Sequence, residues 1–592
     1  MTVRRAQTTA SALQRAAAAL DAFCEVLAAD RPLKLLLVCS LAIACAFCLW
    51  MFDVHFLLGN SPFWSNPRGI IANSWADMSI AYSGITYFQR ETWQLPLFHV
   101  SKLGAPAGTN IIFTDGIPWV SLVARLVFRV SGMTVNPLGA FTAFCFAASA
   151  MTLTALVATL GQRSLAAAAM ASVAGLCMPT LLERWGHMSL IAQFEIPLAL
   201  IFYLRNYRSN QPRWLFAQAA ALMLLALWTH AYLFAMVSAI ILATILQAAR
   251  NRAINMISAT AILASIAALL GGLIAISGYL QSGGGLAAEG FGVYSMNLLS
   301  PFLPQRSGLF SSLRNIIADG TGGQDEGFSY LGAGVLMLLL MTLPRQWRTL
   351  KDGLRHHPWM FALFLGFTLF ALSNVIYLGT LQLAHIPLPT PVMQFAAIFR
   401  ASGRFFWPVM YCLVALAIAA PIPFYGHRGV LLLCLAMPLQ WIDSAPLRQE
   451  LAARIRVPEK PHINLQAWQA EIMRHNSVRV LPQYLCLAYR RGWNSEITVQ
   501  LQLLAAFADR SINSVYSARR VADCSADQRI DGAPQAGARQ LSVFLDEFSG
   551  FSRMQAFAAT SRSCRTGPGL VVCSDIPEEA TALIALARTD RK

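Results

Sequence analysis

Charge is what this chain has least of. Asp, Glu, Lys and Arg make up 12% of its 592 residues, about half of what a soluble protein of that size carries. A large soluble enzyme is excluded on that ground. The usual signatures of cofactor and nucleophile chemistry are also missing. No HExxH, GxSxG, CxxC or GxGxxG motif stands in a fitting context. The glycine-rich stretches Ser282-Gly-Gly-Gly285 and Gly320-Thr-Gly-Gly323 lack the Lys-Ser/Thr ending of a nucleotide phosphate loop. A DxD signature is absent too, which argues against a soluble nucleotide-sugar transferase domain but leaves a divalent metal open.

Apolar residues fill the place of charge, at 56% of the chain. Several runs reach roughly 20 residues, the length that crosses a bilayer as a helix. Backbone polar groups have no water to bond in lipid, so such runs must be helical. The runs predict a polytopic α-helical membrane protein with about eleven spans, near 35–57, 137–160, 165–181, 189–204, 212–228, 231–248, 254–280, 331–343, 359–379, 406–422 and 429–443. The apolar stretch 217–249 is divided at Trp228-Thr-His230-Ala-Tyr232, where Trp228 and Tyr232 suit interfacial anchors.

Basic residues orient the bundle. Arg4, Arg5, Arg15, Arg31 and Lys34 precede the first span. Arg163, then Arg205, Arg208 and Arg213, then Arg250 and Arg252, then Arg345, Arg348, Lys351 and Arg355, and finally Arg428 occupy alternate loops. The positive-inside rule puts all of these in the cytoplasm. The formal charge of +16 then reflects topology and an anionic inner leaflet, not nucleic-acid binding. Loops 58–136, 281–330 and 380–405 face outward. The N-terminus, with residues 1–34, is expected inside and the C-terminus outside. The first span reads as a retained signal-anchor, because a polar stretch precedes it and no small-residue cleavage site follows. Residues 5–30 suit either an amphipathic surface helix or a solvated tail.

Composition changes after Trp441. Residues 444–592 hold ordinary charge, and short strand patterns at Val478–Leu481, Ile512–Tyr516, Leu541–Leu545 and Leu570–Val572 alternate with helical patterns at 465–475, 497–509 and 550–559. This predicts a small extracytoplasmic α/β domain after a membrane part at 35–443. The stretch 525–540 reads as a loop. Cys486, Cys524, Cys564 and Cys573 lie in the C-terminal part and fit two disulfides in an oxidising compartment. Cys564 and Cys573 bracket a Gly-Pro-Gly loop and are paired here, which leaves Cys486 for Cys524; the other pairings stay open. The remaining eight cysteines suit small hydrophobes.

The candidate chemistry lies in the outer loops. Asp77 stands in the first of them, within Trp75-Ala-Asp77-Met. It suits either a general base or the N-cap of a helix starting at Met78. Asp115 precedes Gly-Ile-Pro118 and is either a second acid or a turn residue. Glu183, Arg184 and His187 share the next outer loop. Glu195 falls inside a span, where an ionisable group faces a cavity or a partner, and Arg184 is the expected partner. His230 suits a hydrogen-bonding residue at a helix end. Arg400 and Arg404 sit on the outer side against the charge trend. Their i,i+4 spacing places them on one helical face, where two guanidinium forks suit a phosphate, a lipid headgroup, or a bridge to Asp325 or Glu326. Asp325, Glu326 and Tyr330 close the glycine-rich loop, which reads as a substrate loop.

Several words stand out along the chain: Trp75-Ala-Asp77-Met, Tyr82-Ser-Gly84, Trp93-Gln-Leu-Pro96-Leu, Phe113-Thr-Asp115-Gly-Ile-Pro118, Arg184-Trp-Gly-His187-Met-Ser-Leu190, Tyr330-Leu-Gly-Ala-Gly334 and Phe399-Arg400-Ala-Ser-Gly-Arg404-Phe-Phe-Trp407-Pro. With their arrangement over 35–440 they resemble a bacterial membrane-protein family that carries a domain-of-unknown-function label. The architecture is similar to that of the GT-C superfamily of polytopic glycosyltransferases. That resemblance implies a sugar donor on polyprenyl phosphate, a glycan or lipid acceptor at the periplasmic face, Asp77 as base, and Arg400 and Arg404 at the donor phosphate. It requires no cofactor beyond that open metal. The competing expectations are a transporter or flippase of lipid-linked saccharides, or a non-catalytic envelope-assembly protein.

Overall fold

The structure is a computed structural model that describes residues 18–66, 75–281, 287–310, 319–457, 461, 463–488, 492–519, 522–525 and 539–576. Four expectations fall partly or wholly outside those residues: the N-terminal helix before residue 18, the stretch 69–74 ahead of Asp77, the Ser282–Gly285 turn, and the loop around 526–538. Residues 18–28 are helical.

Helices occupy each apolar stretch. Among the described residues, six are long and apolar enough to cross a membrane: Leu33–Met51, Leu138–Thr159, Leu165–Glu183, Ala231–Arg250, Met256–Ser277 and Ser402–Tyr425. A seventh arises if His427–Asp443 and Ala445–Arg456, bent by 48° at their junction, form one span. Pro212–Leu227 and Pro358–Leu372 are apolar but shorter. Glu195–Asn206 is shorter still, because the backbone before it runs as a 3-10 turn at Met188–Ile191. This is a helical membrane protein.

The first long loop is structured. Trp75–Arg90 and Pro118–Ser131 are helices, and His99–Val100 pairs antiparallel with Thr109–Asn110 between them. In the C-terminal part a five-stranded sheet runs in the order Ser511–Ile512, Ser477–Leu481, Gln540–Leu545, Leu570–Ser574, Cys564–Gly567. The first three strands are mutually parallel and the last two antiparallel. The edge strand at Cys564 was not among the sequence expectations, and the strand expected over 512–516 ends at Ile512.

The sheet does not stand apart from the first loop. Ile80, Tyr87, Phe88, Phe98, Val100 and Leu103 share one apolar core with Trp468, Val478, Val480, Ile497 and Leu541. Backbone bonds join the same pieces. Ile512 donates to the Lys102 carbonyl and accepts from Gly104, both at 2.9 Å. The Tyr87 hydroxyl donates to the Arg510 carbonyl at 2.6 Å. The strand Ser511–Ile512 is thereby clamped to the loop, and the residues just after it are carried over the helix Trp75–Arg90.

Two disulfides are formed, Cys486–Cys524 and Cys564–Cys573. Cross-linking removes more chain entropy from the unfolded state when the loop is longer. The first bridge spans 38 residues and the second 9. Replacing Cys486 and Cys524 with Ala should therefore cost about 1 kcal/mol more than replacing Cys564 and Cys573. Denaturant unfolding of the two double variants checks this. All four thiols should resist labelling until the folded protein is reduced, and ready labelling without reductant would contradict the bridges.

Candidate functional site

Four chain segments meet over one end of the helices, and each arrives for a local reason. The first is the helix Trp75–Arg90. Asp77 lies within this helix, two residues after Trp75, rather than at the N-cap of a helix starting at Met78. This corrects the capping expectation. Gly84 on the same helix lets the turn Ile111–Thr114 press close, since a Cβ there would lie 2.4 Å from Thr114 Oγ1. That approach sets Asp115, whose backbone is left-handed at φ 58°, with Ile117 at φ 40° two residues later. Asp tolerates this region, whereas a β-branched Ile does so only under strain.

The second segment carries Arg184, Trp185, His187 and Ser189. Trp185 is fully buried among Phe56 and Phe63, with ring centroids 5.9 and 5.7 Å away. Burial of a large apolar side chain is worth about 1.5–3 kcal/mol. The indole thus anchors the short loop and fixes the residues on either side of it.

The third and fourth segments are the turn at Asp325-Glu326 and the 3-10 helix Ser402–Phe406. They touch back to back. A Cβ on Gly403 would stand 2.4 Å from the Gly327 Cα, so only glycine allows the approach.

Glu326 joins these segments. Its Oε2 accepts from Arg184 Nη1 at 2.7 Å and from Arg404 Nη2. Arg184 also donates to the Asp325 carbonyl. The Arg184 and Arg404 side chains are 1% and 8% exposed, so both charges are withdrawn from water. Burial alone would raise the Glu326 carboxyl, but Arg184 and Arg404 outweigh it and hold the group well below the usual carboxylate range. Arg404 also lies over the Tyr232 ring, 4.9 Å from its centroid.

His187 connects Glu326 to Asp77. Its Nδ1 is 2.9 Å from Asp77 Oδ2. Its Nε2 is 3.8 Å from Glu326 Oε1, an electrostatic contact beyond hydrogen-bond reach. Burial works against charge on the imidazole, yet the two carboxylates push it up to about 9. Asp77 also accepts from the Tyr516 hydroxyl, and this carboxylate together with burial raises the phenol well above its ordinary value. Asp115 accepts from the Ser189 hydroxyl, and from its N–H at 3.5 Å. Burial pushes Asp115 up to about 6 against those bonds. His230 caps the helix Ala231–Arg250, where its Nδ1 accepts from Tyr232 N–H at 3.1 Å. Burial, with Arg404 and His187 nearby, pushes it down to about 3.

Other expected residues lie elsewhere. Glu183 is buried and faces Arg184, Arg306 and Glu450 rather than Asp77. Glu195 accepts from the Thr229 hydroxyl at 2.6 Å, and its other oxygen is buried without a partner. The expected Arg184–Glu195 pair is not formed, because the turn at Arg184 directs that guanidinium to Glu326. Tyr330 is turned toward Asp443, away from Asp77. Arg400 and Arg404 do not share a helical face. Ala401, at φ −85° and ψ 67°, interrupts the helix between them. Arg404 is consequently buried on Glu326, while Arg400 is exposed over Tyr294, 5.2 Å from the ring centroid. Among the described residues no group of three or more His, Cys, Asp or Glu side chains is arranged to hold a metal. Sequence reasoning missed Tyr516 and Arg519, because no motif marks a residue whose partner lies more than a hundred positions away; Ser189 lies inside a quoted word, but nothing in it points to Asp115, 74 positions earlier.

The arrangement defines a polytopic membrane protein with a buried, charge-linked polar site at one end of its helices. A family described as Domain of unknown function (DUF6311) matches residues 41–445, and the chain belongs to that family. No curated protein shows a significant sequence match to it.

Removing one member of a buried pair leaves an unmatched charge and costs about 3–5 kcal/mol. Glu326→Gln should therefore destabilise strongly, and thermal unfolding in detergent measures it. The alkaline limb has a separate origin. The folded His187 value lies above its unfolded one, so its contribution is fully present below about pH 6.5. It is lost as pH rises through about 9. His187→Asn should abolish that alkaline loss, and a limb unchanged in the variant would assign it to another group.

Proposed function

We propose that this chain is a GT-C-type glycosyltransferase of a bacterial inner membrane, with its N-terminus in the cytoplasm and its site and C-terminus on the periplasmic side. The eleven helical segments would all belong to the membrane part, the short ones by tilting or by packing inside the bundle. The donor would be a sugar on polyprenyl phosphate and the acceptor an envelope glycan or lipid.

The observation that carries this reading is Asp77. It is a nearly buried carboxylate, held between His187 and Tyr516, where the outer loops converge. With a value of about 9, His187 is charged at neutral pH and has no free pair to act as base. The carboxylate is then the group that can take a proton. An acceptor hydroxyl replacing the Tyr516 hydroxyl would lie within hydrogen-bond reach of it. Its proton passes to Asp77, its oxygen bonds to the anomeric carbon, and the bond from that carbon to the phosphate oxygen breaks. The electron pair leaves with polyprenyl phosphate. Arg404 is already matched by Glu326, so we assign it to the scaffold and Arg400 to the donor side.

One observation favours the transporter reading instead. Glu195 is fully buried with an unpartnered oxygen, and such groups often mark a transport path.

Asp77→Asn keeps size and hydrogen bonding but removes the base. Sugar transfer from a polyprenyl-phosphate donor, or a surface-glycan phenotype, should fall on the order of 100-fold or more with the fold intact. Full activity in a well-folded Asp77→Asn protein would exclude the mechanism and favour transport.

A further inference from the structure

Arg184 and Arg404 have carboxylate partners; two neighbouring guanidiniums do not. Arg519 donates through Nη2 to the Ile398 carbonyl at 2.9 Å. That bond sets it on the short 3-10 helix Ala397–Phe399, directly before Arg400. Its Nη1 is buried, and none of the described residues accepts from it. Arg400 makes a ring contact with Tyr294 and no ion pair among the described residues. Arg519 adopts a left-handed backbone at φ 61°, which a bulky side chain enters only when its surroundings hold it there. The surroundings are specific: Ala518 N–H donates to the Phe113 carbonyl at 2.7 Å, and Cys486–Cys524 ties the chain down five residues later. A buried donor without an acceptor calls for one, and two adjacent cations call for a shared anion.

We infer that Arg400 and Arg519 form a seat for a phosphate-class anion, completed by a segment that lies outside the family-matched residues 41–445. Each guanidinium presents planar N–H donors, the geometry that suits phosphate oxygens. The repulsion between the two, which with burial lowers Arg519, is relieved when an anion is bound. Tyr516 on the same segment contacts Asp77, so the seat and the carboxylate are held by one short stretch of chain. The seat deepens the transferase proposal and rests on it for one point only, that the anion is the donor's leaving phosphate.

The test measures binding to the full-length protein in detergent, with inorganic pyrophosphate and a short-chain polyprenyl phosphate as separate probes. Arg400→Gln and Arg519→Gln should each weaken binding about tenfold or more, as loss of a charged hydrogen bond does. Arg519→Lys should recover part of it, because charge returns without the fork. Exposed Arg213→Gln should change nothing. Binding of the lipid probe alone assigns a lipid-borne phosphate, and binding of pyrophosphate assigns the phosphate group itself. Arg400 is exposed, so a defect in Arg400→Gln is not a folding failure, and protection of Cys486 and Cys524 from labelling checks the Arg519 variants. Wild-type affinity in both Gln variants, or no binding of either probe by the wild type, would overturn the seat. Intact, Arg-dependent binding without sugar transfer would leave the seat standing and remove the transferase reading.

Discussion

Everything at this end of the bundle depends on one carboxylate, a partly exposed group enclosed by two buried arginines. Glu326 is the common acceptor for Arg184, Arg404 and, more loosely, His187. Those partners come from separate segments. Withdrawing the two arginines from water costs several kcal/mol per charge, and mutual attraction offsets this only when the geometry is good. The geometry is therefore selective. Any shift of the 326 turn relative to the 184 loop or the 404 turn would strand a charge, so the three segments have essentially one mutual arrangement.

Such closeness needs backbone without side chains in the way. Gly403 against Gly327 brings the two turns that carry Arg404 and Glu326 into contact. Gly84 lets the Ile111–Thr114 turn settle on the helix bearing Asp77. Gly84 and Gly403 fall within the words Tyr82-Ser-Gly84 and Phe399-Arg400-Ala-Ser-Gly-Arg404, which accounts for part of what those words specify. Trp185 does the opposite job in its own word: it fills space and locks the loop by burial.

Period and length made the helices legible, because lipid imposes backbone satisfaction on every apolar run. Local words marked Asp77, Asp115, Arg184, His187, Glu326 and Arg404. The partnerships were less legible. Spacing suggested that Arg400 and Arg404 share a face, and a single non-helical residue, Ala401, separates them. Proximity in sequence suggested Arg184 for Glu195, but the turn sends Arg184 to the 326 loop. Tyr516 and Arg519 were invisible, since their position depends on the bonds between Ile512 and the 102–104 segment, some four hundred residues apart. A pairing at that separation leaves no periodic trace.

The two carboxylates in contact with His187 divide the work. Glu326 is saturated by two guanidiniums and held well below the ordinary carboxylate range, which makes it a fixed structural charge. Among the described residues, the partners of Asp77 are an imidazolium and a phenol. A phenol can be exchanged for another hydroxyl at small cost, because one neutral O–H donor replaces another. An arginine cannot be exchanged that way. The group able to change partners is therefore Asp77, with Glu326 as a second, smaller charge favouring the protonated imidazole. The site then carries one immobile carboxylate and one replaceable contact, a division that suits chemistry on an incoming hydroxyl better than a purely structural ion-pair network would.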